Sequence, residues 1–314
     1  MIFRLLPKVV LVFSGLLSAA WSSAAIDLNA ATVKRLDNGM TVILLEDSNF
    51  PLVSVQMIYK VGARNETIGL TGLAHFVEHM AFRGSENFPG TGLVSNSYAR
   101  GGEWHGYTWT DLTTYFATMP ANDLDLLLRI EADRMSRLEF SDDIVEVERG
   151  AVLAEMHMYE NEPSSMLIDA LMFVSFVAHP YRNNTNGFES DIESVTYEDV
   201  SDFYEQHYHP GNAVLAVVGD FDQVATLARI NELFGEIDGR PATPLPHTAE
   251  PVQAGERRVR VTGSIDERQV SIGYRAPSSN NPDFPVFLVL QALLGGSSGA
   301  SFLQNDWGTP VGAE

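Results

Sequence analysis

The chain has 314 residues, 45% of them hydrophobic and 19% charged, with a formal net charge of −21 and no cysteine. The length suggests about two domains, and the composition excludes wholesale disorder and a collagen-like repeat. Without cysteine there is no thiolate nucleophile, disulfide framework or thiolate-held metal, so any ion must be held by His, Asp or Glu. An acidic chain also disfavours nucleic acid as a partner.

Arg4 and Lys8 precede an apolar run from Val9 to Leu17, and small residues follow at Ser18-Ala19-Ala20 and Ser23-Ala24-Ala25. This layout is that of a signal peptide over residues 1–25, with cleavage after Ala20 or Ala25, and it predicts a secreted or periplasmic bacterial protein. No later apolar run approaches the roughly 20 residues that a spanning helix needs, so no stable membrane span is expected after cleavage.

Two strands, Thr32 to Leu36 and Met40 to Glu46, flank the hairpin turn Asp37-Asn38-Gly39. Leu52 to Val61 alternates as a third strand. Gly69 to Gly72 then opens a helix through about Phe82. Trp104 to Thr110 and Leu112 to Met119 are rich in aromatic and β-branched residues and suggest a strand pair. Helices are expected over Ala121–Leu138, from an N-cap at Ser141 to Tyr159, from Pro163 to about Val177, and over Thr196–Tyr208. Ala213 to Val218 is a buried-type strand, and Asp222 to Phe234 an amphipathic helix. Residues 241–255, with Pro241, Pro244, Pro246 and Pro251, read as a linker. Beyond it, strands are expected at Arg257–Val261 and Gln269–Tyr274, and a helix from Pro282 to Leu294. Residues 295–299 fit the letters G-x-S-x-G, but a helical run precedes them where a nucleophile elbow needs a strand, so they read as a turn.

The chemistry is concentrated in His75-Phe76-Val77-Glu78-His79, an H-x-x-E-H pattern. Four residues apart on a helix, His75 and His79 can reach one ion, and Glu78 lies near the same edge, within reach of a water. A hydrolytic zinc usually takes three protein ligands and leaves one position open. Glu148 and Glu155, seven apart on the helix after Ser141, share a face and are candidates for completing the set; a solvated acidic stripe is the simpler reading of that pair.

Gly72 to Gly84 closely resembles the zinc site of the pitrilysin/insulinase (M16) metallopeptidases, and the resemblance runs from about Thr32 to Leu294. It implies His75, His79 and Glu155 as ligands of Zn2+, Glu78 as the general base and Glu148 as an outer carboxylate supporting the ligands. It implies an α+β fold: a mostly antiparallel sheet packed with helices, in a tandem-half architecture whose second half is incomplete here. Residues 27–240 would be the zinc-bearing domain, and residues 256–314 the start of a companion domain, truncated early. Substrate would add as a strand along Trp104, His105, Gly106 and Tyr107, where the family usually has Asn in place of His105.

The expected function is therefore zinc-dependent endopeptidase cleavage of peptides or small unfolded proteins. The alternative is a non-catalytic binding or scaffold subunit, or a chain inert without its companion half. A companion chain or a homodimer could complete the chamber that the family's two halves enclose.

Overall fold

The structure is a computed structural model that describes residues 30–244, 248–263 and 268–295. The expected signal peptide and most of the glycine-rich turn at 295–299 lie outside the described residues.

The chain opens with the hairpin β1 (Thr32–Arg35) and β2 (Thr41–Glu46), followed by β3 (Leu52–Tyr59). Helix α1 (Leu73–Ala81) comes next, then a two-stranded ribbon of β4 (Gly84–Ser85) and β5 (Phe88–Pro89), and α2 (Gly92–Ala99). β6 (Glu103–Thr108) and β7 (Thr113–Pro120) precede α3 (Leu124–Ser136), α4 (Asp142–Glu160), α5 (Pro163–Ser175), α6 (Glu189–Ser194) and α7 (Tyr197–His207). β8 (Ala213–Gly219), α8 (Gln223–Phe234) and α9 (Phe284–Gly295) complete the described elements.

Six strands form one sheet in the order β1-β2-β8-β3-β7-β6. Its pairings are antiparallel except for β2 with β8, where Val42 lies opposite Leu215. The α+β class and the mostly antiparallel sheet follow the sequence reading. The parallel pairing was not foreseen, because it joins strands about 170 residues apart that local pattern cannot connect.

Alternation along β3 shows which face is covered. Val53, Val55, Met57 and Tyr59 are buried, whereas Ser54, Gln56 and Ile58 are only partly so. The buried side chains of the sheet join Phe76, Val77 and Met80 of α1, Leu127, Leu128 and Ile130 of α3, and Ile230 and Phe234 of α8 in one core. On the other face, Gln56 Nε2 donates to Thr114 Oγ1 at 3.1 Å. Burying one stripe of each helix against one face of the sheet fixes the register, since a one-residue slip would turn the polar set inward.

Two expectations fail beyond the linker. Arg257–Val261 and Gln269–Tyr274 form no strands, and Val270, Ile272 and Tyr274 are 80%, 72% and 88% exposed. Their alternation is real, but a strand needs a neighbour for its ladder, and no described strand pairs with them. The segment is tied down by charge instead. Glu250 accepts backbone N–H bonds from Val177, Ala178 and His179 at 2.8–2.9 Å, and Arg257 and Arg275 donate to the carbonyl of Ser175. These donors, with Arg275 beside it, hold the Glu250 carboxyl at about 2 despite the opposing effect of burial. Among the described residues no helix is long and apolar enough to cross a membrane.

Candidate metal centre

Helix α1 is short, and its first turn is fixed from outside. Gly72, at its N-cap, has φ +85°, and a Cβ there would meet the Asn186 carbonyl oxygen at 2.6 Å, so only glycine fits. The buried Glu66 carboxylate takes up two otherwise orphaned donors, accepting from Gly72 N and Ala74 N at 2.8 Å each. Burial pushes its pKa up to about 8, against the pull of those same N–H groups. Asp191 Oδ2 accepts from Gly69 N, Thr71 N and the Thr71 hydroxyl, and so ties the approach to α1 onto α6. None of this was legible in the motif itself.

From that base α1 buries Phe76, Val77 and Met80 in the core and turns His75, Glu78 and His79 toward α4. Ser141 caps α4, accepting from Ile144 N at 3.2 Å as expected. Val145, Val152 and Met156 anchor that helix in the core, which aims Glu148 and Glu155 at α1. His75 Nε2 lies 3.6 Å from Glu155 Oε1, and His79 Nε2 lies 3.3 Å from Glu155 Oε2. The imidazole rings are 4.7 Å apart and nearly perpendicular. One ligand atom from each of His75, His79 and Glu155 can be chosen so that all three lie within 4.8 Å of one another. Glu148 Oε2 sits 3.1 Å from His79 Nδ1, and its other oxygen pairs with Arg83. With Nδ1 bonded to Glu148, Nε2 is the nitrogen of His79 that faces Glu155, and it offers a lone pair to an ion once its proton has left.

The electrostatics suit a cation. Burial, and then the neighbouring His79, lower the His75 pKa to about 4, so this imidazole is neutral with a lone pair to offer. Burial opposes charge on His79 as well, but hydrogen bonds to Glu148 and Glu155 outweigh it and raise the pKa to about 9. The bond to His79 holds the Glu155 carboxyl below the usual range. Burial opposes ionisation of Glu148, but His79 and Arg83 still lower its pKa. Two nitrogens and one carboxylate, with an outer carboxylate behind one imidazole, match the donor set of a hydrolytic zinc site. Glu78 stands beside them, 7% exposed; burial raises its carboxyl to about 7 against a hydrogen bond from Thr108.

The centre opens into a cavity of about 420 Å3 lined by His75, Glu78 and Glu155, by residues 106–109, and by Tyr159, Asp169 and residues 184–186. Strand β6 is the last strand of the sheet, so its outer edge is unpaired among the described residues. Of the residues expected to grip substrate, Gly106 and Tyr107 line this cavity, while His105 is exposed and lies against Phe116. Trp104 offers no side chain to the groove. Its side chain is 1% exposed, in contact with Phe82 and under the Arg134 guanidinium, so only its main chain could meet a ligand. Strand alternation forces this, since neighbours of an outward His105 must point inward. On the far wall, Asn184 donates to Asp169 at 2.6 Å. Neither Asp169 nor Tyr159 stands out in the sequence, although Tyr159 is four residues after Glu155 and helical spacing puts it on the same face. A larger crevice of about 1050 Å3, lined by Arg137, Tyr208, His209 and Arg240 among others, contains none of these groups.

Comparison with known proteins follows the same lines. The family model described as "Insulinase (Peptidase family M16)" matches residues 41–187, and "Peptidase M16 inactive domain" matches residues 194–305. The chain belongs to peptidase family M16. It is 30% identical to the zinc protease PqqE of Helicobacter pylori over 276 residues, which cover 86% of this chain and 62% of that relative. The crystal structure of a protease from H. pylori superposes with a TM-score of 0.67 at 29% identity, over 70% of this chain and 54% of that one. The fold is also that of a peptidase M16 inactive domain from Pseudomonas fluorescens, with a TM-score of 0.69 at 19% identity, over 85% of this chain and 64% of that one. The chain thus spans between half and two thirds of the M16 relatives it matches first.

Proposed function

We propose that this M16 chain is the zinc-bearing part of a metalloendopeptidase that cleaves peptides or small unfolded proteins. The observation that carries this reading is the convergence of His75, His79 and Glu155 on one point, with Glu78 buried alongside and an open groove in front. His75, His79 and Glu155 hold Zn2+, and Glu148 fixes the ring and tautomer of His79. When bound, the ion supplies Lewis-acid polarisation and acidifies its water. Glu78 takes the proton of the attacking water and later passes it to the leaving amine. The unpaired edge of β6 receives the substrate backbone as an added strand, through main-chain groups from Trp104 to Tyr107.

The proposed organisation is a zinc-bearing domain over 27–240, a linker over 241–255 and a companion domain beginning at 256. Further substrate contacts come from a companion half, a second chain or a second copy. Residues 1–25 act as an export signal, which places the protein in the periplasm or outside the cell.

The test is zinc content together with chelator-sensitive cleavage of a quenched peptide library by the wild type and Glu78→Gln. The expected result is about one zinc in each and a loss of at least about 100-fold in cleavage by the variant. Absence of metal from the wild type would overturn the reading. A second reading, a binding or scaffold subunit, draws on the inactive-domain match over 194–305. Zinc in both proteins with cleavage by neither would favour it.

A further inference from the structure

Beyond the ion's polarisation, the proposed chemistry assigns the substrate carbonyl oxygen no side-chain donor among the described residues. When water attacks a peptide carbonyl, negative charge gathers on the carbonyl oxygen, and a donor placed at that oxygen contributes strongly to the rate. No arginine or lysine is among the residues that line the cavity. Its charged walls are acids: Glu78, Glu155 and Asp169. A donor from the described lining must therefore be neutral.

Ser165, Thr185, Asn186 and Trp109 also line the cavity, but none of them lies on the helix that carries Glu155. Thr108 Oγ1 lies 3.4 Å from the Ala74 carbonyl oxygen and also serves Glu78, and the Asn184 amide is committed to Asp169. Tyr159 is different. It stands four residues after Glu155 on α4, one turn along the same face, which at 1.5 Å rise per residue sets it about 6 Å further along the axis. It lines the cavity and is 40% exposed, and its hydroxyl makes no hydrogen bond with any described residue. Partial burial, together with the Glu155 and Glu78 charges, raises its pKa, so the phenol keeps its proton at neutral pH and also stands close to the reacting groups. Tyr107, on the opposite wall, leans on the Phe116 ring instead.

We propose that Tyr159 is a catalytic residue whose hydroxyl donates a hydrogen bond to the scissile carbonyl oxygen as that oxygen becomes negative. This rests on the zinc-peptidase reading. The phenol keeps its proton throughout: the proton that moves is the water's, taken by Glu78 and delivered to the leaving nitrogen. Because the hydrogen bond strengthens as charge develops, Tyr159 acts on turnover more than on ground-state binding.

The experiment compares the wild type with Tyr159→Phe and, as a control outside the cavity, Tyr197→Phe on α7, in zinc content, in steady-state cleavage of a fluorogenic peptide, and in affinity for a phosphinic peptide, whose tetrahedral oxygens mimic the charged carbonyl. Tyr159→Phe is expected to keep its zinc, to lose about 10- to 100-fold in kcat with little change in KM, and to bind the phosphinic peptide at least tenfold more weakly. Tyr197→Phe should keep kcat and phosphinic-peptide affinity within about twofold. Unchanged kcat in Tyr159→Phe, or a loss confined to KM, overturns the assignment. If the wild type holds zinc but cleaves no peptide, phosphinic-peptide affinity decides alone: equal values in wild type and Tyr159→Phe overturn the proposal. A wild type without zinc removes the peptidase reading together with this one, and that failure shows before any variant is compared.

Discussion

His79 Nδ1 lies 3.1 Å from Glu148 Oε2, and this one contact determines which nitrogen of His79 faces the ligand cluster. Glu148 is 3% exposed and is held on its other oxygen by Arg83, so it is a fixed acceptor. Replacing it with Gln keeps the shape but removes the charge behind the imidazole. Glu148→Gln should weaken zinc affinity by about 10- to 100-fold, read by competition with a chromophoric chelator. Unchanged affinity would mean that Glu148 is only a buried partner of Arg83.

Glu78 must be ionised to accept a proton, and burial raises its pKa to about 7. Peptide cleavage should therefore fall as pH drops, with an acid limb at about 7 or below, since a bound cation stabilises the carboxylate and moves the limb downward. A kcat/KM profile between pH 5 and 8.5 checks this. A flat profile across that range, together with full activity in Glu78→Gln, would exclude Glu78 as the base.

Glu66 is not one of the ligands, yet it sets the start of the helix that carries two of them. Glu66→Ala strands the N–H groups of Gly72 and Ala74 in a buried position. The expected cost is about 2–4 kcal/mol, visible as a lower midpoint in urea. Asp191→Asn, which retains an acceptor for the Thr71 hydroxyl, should cost less, about 1 kcal/mol. Equal costs would indicate that Glu66 does not clamp α1.

His207 gives the fold an acid sensitivity separate from the metal centre. It is 2% exposed, with Nδ1 3.0 Å from the Thr243 hydroxyl, and burial, with His209 nearby, lowers its pKa to about 4. An unfolded His titrates near 6.5, so between about pH 6.5 and 4 the unfolded chain binds more protons than the folded one. Stability is therefore lost as pH falls through that window, by about 1–3 kcal/mol from this group, and none of the loss appears above it. Urea titrations at pH 7.5 and 5 should show the difference, and His207→Gln should reduce it. An undiminished pH dependence in the variant would assign the effect to other groups.

How much of the site was legible varied with distance along the chain. His75, Glu78 and His79 lie within five residues, and helical periodicity alone puts both imidazoles on one edge. Glu155 lies 76 residues beyond His79, and on spacing alone it was one of two acids on a helix face; the family resemblance singled it out. Glu66 and Asp191 left no mark in the sequence that separates them from other surface acids. Only the folded chain shows which backbone N–H groups they meet. The strands expected at 257–261 and 269–274 failed for the same reason: alternation describes a face, whereas a strand also needs a partner, and the partner is a tertiary fact.

The amino-acid order by itself determined most of the longer helices and strands up to residue 234, the absence of thiol chemistry, and the identity of the metal-competent motif, because these depend on side-chain type and on periods of two or 3.6 residues. Tertiary structure alone decided that Trp104 faces the core and that β8 inserts between β2 and β3. It also decided that Tyr159 and Asp169 share a cavity with Glu78. Those outcomes come from packing one sheet face against α1, α3 and α8, which brings together groups that no local pattern links.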